Sequence, residues 1–369
     1  MRRRSRATAV GIVSAATFAV VVAAGGGANA DGNGVVPSRT LLRLHATPTG
    51  MGANGSRIAL VGPHVVVADL ASGKTTTIAA GTGNPPAPVA VSASTVLWLD
   101  EEGGNEREDT LRVAAPGGRA KRLAQWTVDN VDVPSLGYHL GGLAGTGPRL
   151  AYALYVLSAV HRRPGECSGD DPPCRVKVTG GGTFLVTPGS LGVRKVLPPA
   201  RAVAVDATRV AAAVLQLGAG YSGRAQVVVA DLVHGSIRKV GKPAAVRALA
   251  LAGDRVAAVV GASPARVRVW SVKTGAPVTT LRLARSCSLV YGAVPRLALT
   301  PDSAVFSCAR TIVAFDLRGG RRRVIARGWV DFGPWIWRRS VVWAVVHRPG
   351  TARGSSIVRA VPLSRGRPR

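Results

Sequence analysis

The sequence has 369 residues, with 48 Lys and Arg against 19 Asp and Glu, a formal charge of +29 and 47% hydrophobic residues. That apolar share excludes a disordered or fibrous chain. The apolar run 9–24 is 16 residues long, and no later run approaches the ~20 needed to cross a bilayer, which excludes a polytopic membrane protein.

The chain opens on the pattern of a secretory signal. Arg2, Arg3, Arg4 and Arg6 form a basic stretch, 9–24 an apolar one, and Ala28-Asn29-Ala30 a small-x-small site. A signal peptide over 1–30, with cleavage after Ala30, is therefore expected. The remaining 339 residues, 31–369, hold 44 basic and 19 acidic residues, a charge of +25, and four cysteines, Cys167, Cys174, Cys287 and Cys308. In an oxidising compartment an even count favours two disulfides. Six residues separate Cys167 from Cys174, a loop that can staple itself, and the spacing does not match paired zinc ligands.

A linker over 31–40 leads to an alternating strand at 41–45. One signature then recurs: an apolar strand, a short turn with Gly, and a second strand. It covers 65–78 and returns at 111–117, 184–189, 227–235, 267–275, 312–320 and 357–366. The turn glycines, at 73, 117, 189, 235, 275, 320 and 366, are spaced 44, 72, 46, 40, 45 and 46 residues apart. A four-stranded propeller blade takes about 40–50 residues. The 72-residue interval contains Cys167 and Cys174 and reads as one blade with an insertion.

Further β-rich runs, such as 245–251 and 255–260, precede the hairpins, and no amphipathic helical pattern intervenes. Only a basic tail, 367–369, follows Gly366, whereas the strand at 41–45 has no hairpin partner. That strand is expected to complete the last blade and leave no long open edge. The expected fold is all-β: a β-propeller over 41–366 of seven four-stranded blades closed by an N-terminal strand, with six or eight as alternative counts.

The Asp-Leu-x-x-Gly hairpins at Asp69, Asp231 and Asp316 resemble those of secreted bacterial β-propellers of the WD-repeat-like and TolB-like kind. The Gly-His and Trp-Asp signatures of true WD repeats are absent. The docking motif of quinoprotein propellers is only echoed by Asp69 and Gly73-Lys74, with no Trp following. No cofactor and no metal are expected. The resemblance implies that connections between strands b and c, and between blades, share one face. The a–b and c–d turns then share the other. On that scheme the irregular b–c loops are 100–109, 159–175, 217–226 and 347–356, where binding residues concentrate on a rigid scaffold. Cys287 and Cys308 map to the same face, which favours a bond between them.

Two contact segments are expected there. Asp100, Glu101, Glu102, Glu106, Glu108 and Asp109 place six of the 19 acids in ten positions, without the ligand spacing of an EF-hand. His161, Arg162 and Arg163, with Asp170 and Asp171, form the second. Catalytic residues are not expected, because no H-E-x-x-H and no Gly-x-Ser-x-Gly is present. Residues 68–75 match a loose phosphate loop but form a hairpin, not a strand-to-helix turn. The G-x-G-x-x-G at 50–55 precedes a strand and reads as a turn. Trp329, Trp335, Trp337 and Trp343 read as packing for the closing blade.

The basic excess is 41 Arg and 7 Lys. Arginine suits anionic polymers and headgroups, yet a GC-rich coding background produces the same bias. No nucleic-acid-binding module is visible, so nucleic acid is not an expected partner. The expected function is an exported, monomeric, non-catalytic scaffold that binds a protein of the bacterial cell envelope. The alternatives are a propeller hydrolase or lyase working at the central channel, and charge-driven adhesion to anionic envelope polymers.

Overall fold

The computed structural model describes residues 20–21, 38–44, 48–62, 64–80, 88–103, 106–115, 118–129, 136–160, 176–187, 189–218, 223–261, 265–283, 296–308, 311–328, 330–347 and 354–363. Strands β1 (Val20–Val21) and β2 (Arg39–Leu44) come first. Blade 1 is β3 (Gly50–Asn54), β4 (Arg57–Val61), β5 (His64–Asp69) and β6 (Thr75–Ala80). Blade 2 is β7 (Val89–Val91), β8 (Val96–Gly103), β9 (Glu106–Ala114) and β10 (Lys121–Asp129). Blade 3 is β11 (Gly137–Thr146), β12 (Arg149–Ala159), β13 (Val176–Thr187) and β14 (Gly192–Leu197). Blade 4 is β15 (Ala200–Val205), β16 (Arg209–Val214), β17 (Ala225–Asp231) and β18 (Ile237–Ala244). Blade 5 is β19 (Val246–Ala252), β20 (Arg255–Val260), β21 (Arg266–Ser271) and β22 (Pro277–Arg282). Blade 6 is β23 (Leu297–Leu299), β24 (Ser303–Cys308), β25 (Thr311–Asp316) and β26 (Arg322–Arg327). Blade 7 joins β27 (Phe332–Trp337), β28 (Ser340–His347) and β29 (Ser355–Pro362) to β2.

The seven blades form a closed ring, a β-propeller. Closure comes from β2, which pairs antiparallel with β29 and sets Arg43 opposite Ile357, as the unpartnered N-terminal strand implies. The short β1 extends that edge, with Val20 opposite Leu44. No helix among the described residues is long and apolar enough to cross a membrane.

Period-2 alternation builds the core between blades. In β16, Val210 and Ala212 pack toward blade 3 while Ala211 and Ala213 pack toward blade 5. In β20, Ala257 and Val259 face blade 6 and Val256, Ala258 and Val260 face blade 4. Both faces are buried, so such strands read as unbroken apolar runs. Seven core clusters result, each seated chiefly between two consecutive blades. Trp337 and Trp343 are buried in two of them, with Trp335 packed at the edge; Trp329 lies outside the described residues.

The c–d turns repeat one hydrogen-bond scheme. Gly73, Gly235 and Gly320 have positive φ and donate their N–H groups to the carbonyls of Asp69, Asp231 and Asp316. Glycine adopts that conformation without strain. Each aspartate side chain caps its turn, with Asp69 Oδ1 accepting from the Ala71 and Ser72 amides at 3.0 and 2.8 Å.

Two expectations change. Residues 50–54 of the G-x-G-x-x-G are the innermost strand of blade 1, and only the end of the motif turns. A Cβ on Gly52 would come 2.5 Å from the Val89 carbonyl oxygen of blade 2, so glycine there answers to strand packing. Residues 100–103 and 106–109, expected in an irregular loop, are strand. Both strands extend into this acidic stretch, and β8 and β9 stay in register up to Gly103 opposite Arg107.

Candidate binding face

Blades 2 and 3 rise above the ring on the b–c face. Strand β12 has 11 residues where β16 and β20 have six. Five further residues at ~3.3 Å each lift the hairpin by roughly 15 Å. The 72-residue glycine interval is thus partly taken up by longer strands.

The acidic cluster sits on the tip of β8 and β9 and divides in two. Asp100 and Asp109 are each 3% exposed. Asp100 accepts from Trp98 Nε1 at 2.9 Å and pairs with Arg112 Nε at 2.5 Å. Asp109 pairs with Arg107 Nε at 2.7 Å, and the same guanidinium reaches Glu101 at 3.0 Å. These three carboxylates are tied into the blade. Burial raises the Asp109 pKa, opposed by Arg107, the Trp126 indole N–H and His139 of blade 3. The indole N–H nevertheless makes no hydrogen bond of good geometry. Burial also raises the Glu101 pKa, against the pull of Arg107.

Glu102 and Glu108 are exposed and stand directly opposite each other across the hairpin. The register also sets Glu106 opposite Asp129. Across the hairpin the like charges of Glu102 and Glu108 repel. Among the described residues, neither Glu102 nor Glu108 is in an ion pair.

Beside this tip is an aromatic group that the sequence reading missed. His139 stacks on Tyr155 at 5.0 Å, and Trp126 meets Tyr138 at 6.4 Å across the junction of blades 2 and 3. Tyr138 is 49% exposed, and Leu136, Val160 and Leu217 are exposed on the same face. Leu217 is held there by a parallel bridge to Val178. A signal was present: the apolar run 150–157 is longer than an ordinary blade strand. Two partners that touch only through strand pairing or a blade junction leave no short-range motif.

His161, Arg162, Arg163, Asp170 and Asp171 lie outside the described residues, as do Cys167, Cys174 and Cys287. Cys308 ends β24, opposite Thr311. Among the described residues, no group of three or more His, Cys, Asp or Glu is placed to hold a metal ion.

Fold and face together define a seven-bladed β-propeller with one raised, acidic rim. No protein-family model matches the chain, and no curated protein matches it. It is similar in structure to BamB from Moraxella catarrhalis, at 13% identity over 87% of this chain and 90% of that one, with a TM-score of 0.42. AztD from Citrobacter koseri is 12% identical over 76% of this chain and 72% of that one, with a TM-score of 0.42. Sqt1 from Saccharomyces cerevisiae is 11% identical over 89% and 99%, with a TM-score of 0.42. At such identities and scores, none of them bears on what this chain binds.

Proposed function

We propose that this protein is an exported, non-catalytic scaffold of the bacterial cell envelope, which docks a protein partner through the b–c face of blades 2 and 3. The observation that carries the reading is the pair Glu102 and Glu108, exposed and face to face on a raised tip of a chain with charge +29. A like-charge pair costs stability in the free protein. A basic contact surface on the partner relieves that repulsion, so the tip gains most when bound. Tyr138 and its exposed apolar neighbours supply contact area beside the charges. The ring fixes all of them before the partner arrives, which limits the entropy lost on docking. The basic and apolar stretches and small-x-small site within 1–30 support export.

The test is the double substitution Glu102→Gln with Glu108→Gln, which leaves the Arg107 ion pairs untouched. Capture of envelope partners by the tagged variant should weaken about tenfold, as two exposed ion pairs of up to ~1 kcal/mol each imply. Thermal stability should hold or rise. Unchanged capture would remove this tip from the binding site.

A further inference from the structure

We propose that the b–c mouth of the central channel, on the side of blades 4 to 6, is a binding site for a small oxyanion, a carboxylate or phosphate group, held by Arg201, Arg247 and Arg296. This site is separate from the acidic rim and does not rest on the scaffold reading.

Register places the first two residues at one height. Arg201 lies five residues before Asp206, and Arg247 five before Ala252, the residues that open the two a–b turns. Each falls in a β-bulge of its innermost strand, between Ala200 and Val203 in β15 and between Val246 and Ala248 in β19. A bulge re-aims a side chain out of the regular alternation, here at the end of the strand nearest the b–c face. In blade 3 the bulge residue is Gly141, where a Cβ would meet the Ala200 carbonyl oxygen at 2.0 Å. That blade has no room for a side chain, so the arginines are confined to the neighbouring arc. Arg296 directly precedes β23 and continues its ladder, its carbonyl accepting from the Ser307 N–H at 3.0 Å. Its guanidinium lies 5.1 Å from the centre of the Phe332 ring in blade 7.

Among the described residues, the charges at this mouth do not balance. Arg201 Nη1 donates to the Gly223 carbonyl at 2.6 Å, a neutral partner. Arg247 Nε is sealed from solvent and bonds no acceptor. Among the described residues, neither arginine is in an ion pair. Arg296 has the field of Asp331 beside it while burial disfavours its charge, and Asp331 Oδ2 already accepts from the Val346 N–H at 2.7 Å. Among the described residues, Asp331 thus acts on Arg296, and no carboxylate pairs with Arg201 or Arg247. An oxyanion supplies what is missing: negative charge, and acceptor lone pairs in the planar spacing that a guanidinium fork matches.

The experiment uses the purified exported chain, titrated calorimetrically with inorganic phosphate and, separately, with succinate, each against chloride at equal ionic strength. Saturable binding of one of these at about one ion per chain, absent with chloride, is expected, and the stronger arm identifies the group. Arg247→Gln should weaken that binding at least tenfold. Arg247→Lys, which keeps the charge and loses Nε, should also weaken it and serves as the reading if the first variant fails to fold. Arg318→Gln, on an exposed c–d turn, should bind as the unsubstituted chain does, and so should Glu102→Gln with Glu108→Gln. Equal heats with chloride, or unchanged binding in both Arg247 variants, would overturn the proposal.

Discussion

Asp69, Asp231 and Asp316 each accept backbone amides of the turn they open, and each is more acidic than an ordinary aspartate, Asp69 chiefly through the Ser56 hydroxyl and the other two chiefly through those amides. Asp231 is lowered to about 2 by the His234 and Val233 N–H groups and by the His234 ring. Ser56 and the Ser72 and Ala71 amides lower Asp69, and the Arg318 and Gly319 amides lower Asp316. A folded pKa below the unfolded one gives stability that is full above the ordinary carboxylate range and is lost as pH falls through the folded value. Replacing all three by Asn should therefore lower stability at neutral pH. It should also flatten the dependence of the urea midpoint on pH between about 4 and about 2, whereas an unchanged slope would contradict the capping role. At the acidic tip, Glu102→Gln alone should raise stability by about 0.2–1 kcal/mol, because it removes a like charge facing Glu108. A clear loss of stability would mean the pair is relieved by a contact in the free protein. The turn aspartates were legible because the turn amides they accept lie within four residues. The burial of Asp100 and Asp109 was not, since Arg112 reaches Asp100 across two strands, Arg107 reaches Asp109 along one, and a run of acids looks alike whether buried or solvated.

The inner strands show how closely the blades approach. A Cβ on Gly145 of β11 would come 2.1 Å from the Val91 carbonyl oxygen of β7. Gly145→Ala should cost about 1–3 kcal/mol or more by forcing the two blades apart, measured as a lower urea midpoint with an unchanged slope. A neutral effect would show that the junction yields. Strain of another kind sits in the turn joining β27 and β28, where Arg338 and Arg339 adopt φ of 46° and 61°. Side chains with a Cβ pay about 1–2 kcal/mol per residue in that conformation, and Asn-Gly is the sequence suited to it. Arg338→Asn with Arg339→Gly should accordingly raise the melting temperature, while a fall would mean that the cation–π contact of Arg338 with Trp337 outweighs the strain. Such inner-strand glycines cannot be told from turn glycines in sequence. The atom that excludes their Cβ belongs to another blade, which is why 50–54 read as a turn.

At the scale of the ring, the seven glycine-marked hairpins and the unpartnered N-terminal strand carried the architecture, because each blade is a local meander and only closure is long-range. The candidate binding face was half legible. Acids within ten positions stand out, whereas Trp126, Tyr138, His139 and Tyr155 converge from three strands. The most direct test of the account places a photo-crosslinking residue at position 102, on the raised rim, or at 233, on the exposed c–d turn of blade 4. Cells exporting each version are irradiated, and envelope fractions are washed in high salt, which screens loose charge-driven contacts, before mass spectrometry. One discrete protein adduct from position 102, absent from position 233, is the predicted result. Equal adducts from both faces, or release of the whole protein by salt with no adduct at 102, would contradict it.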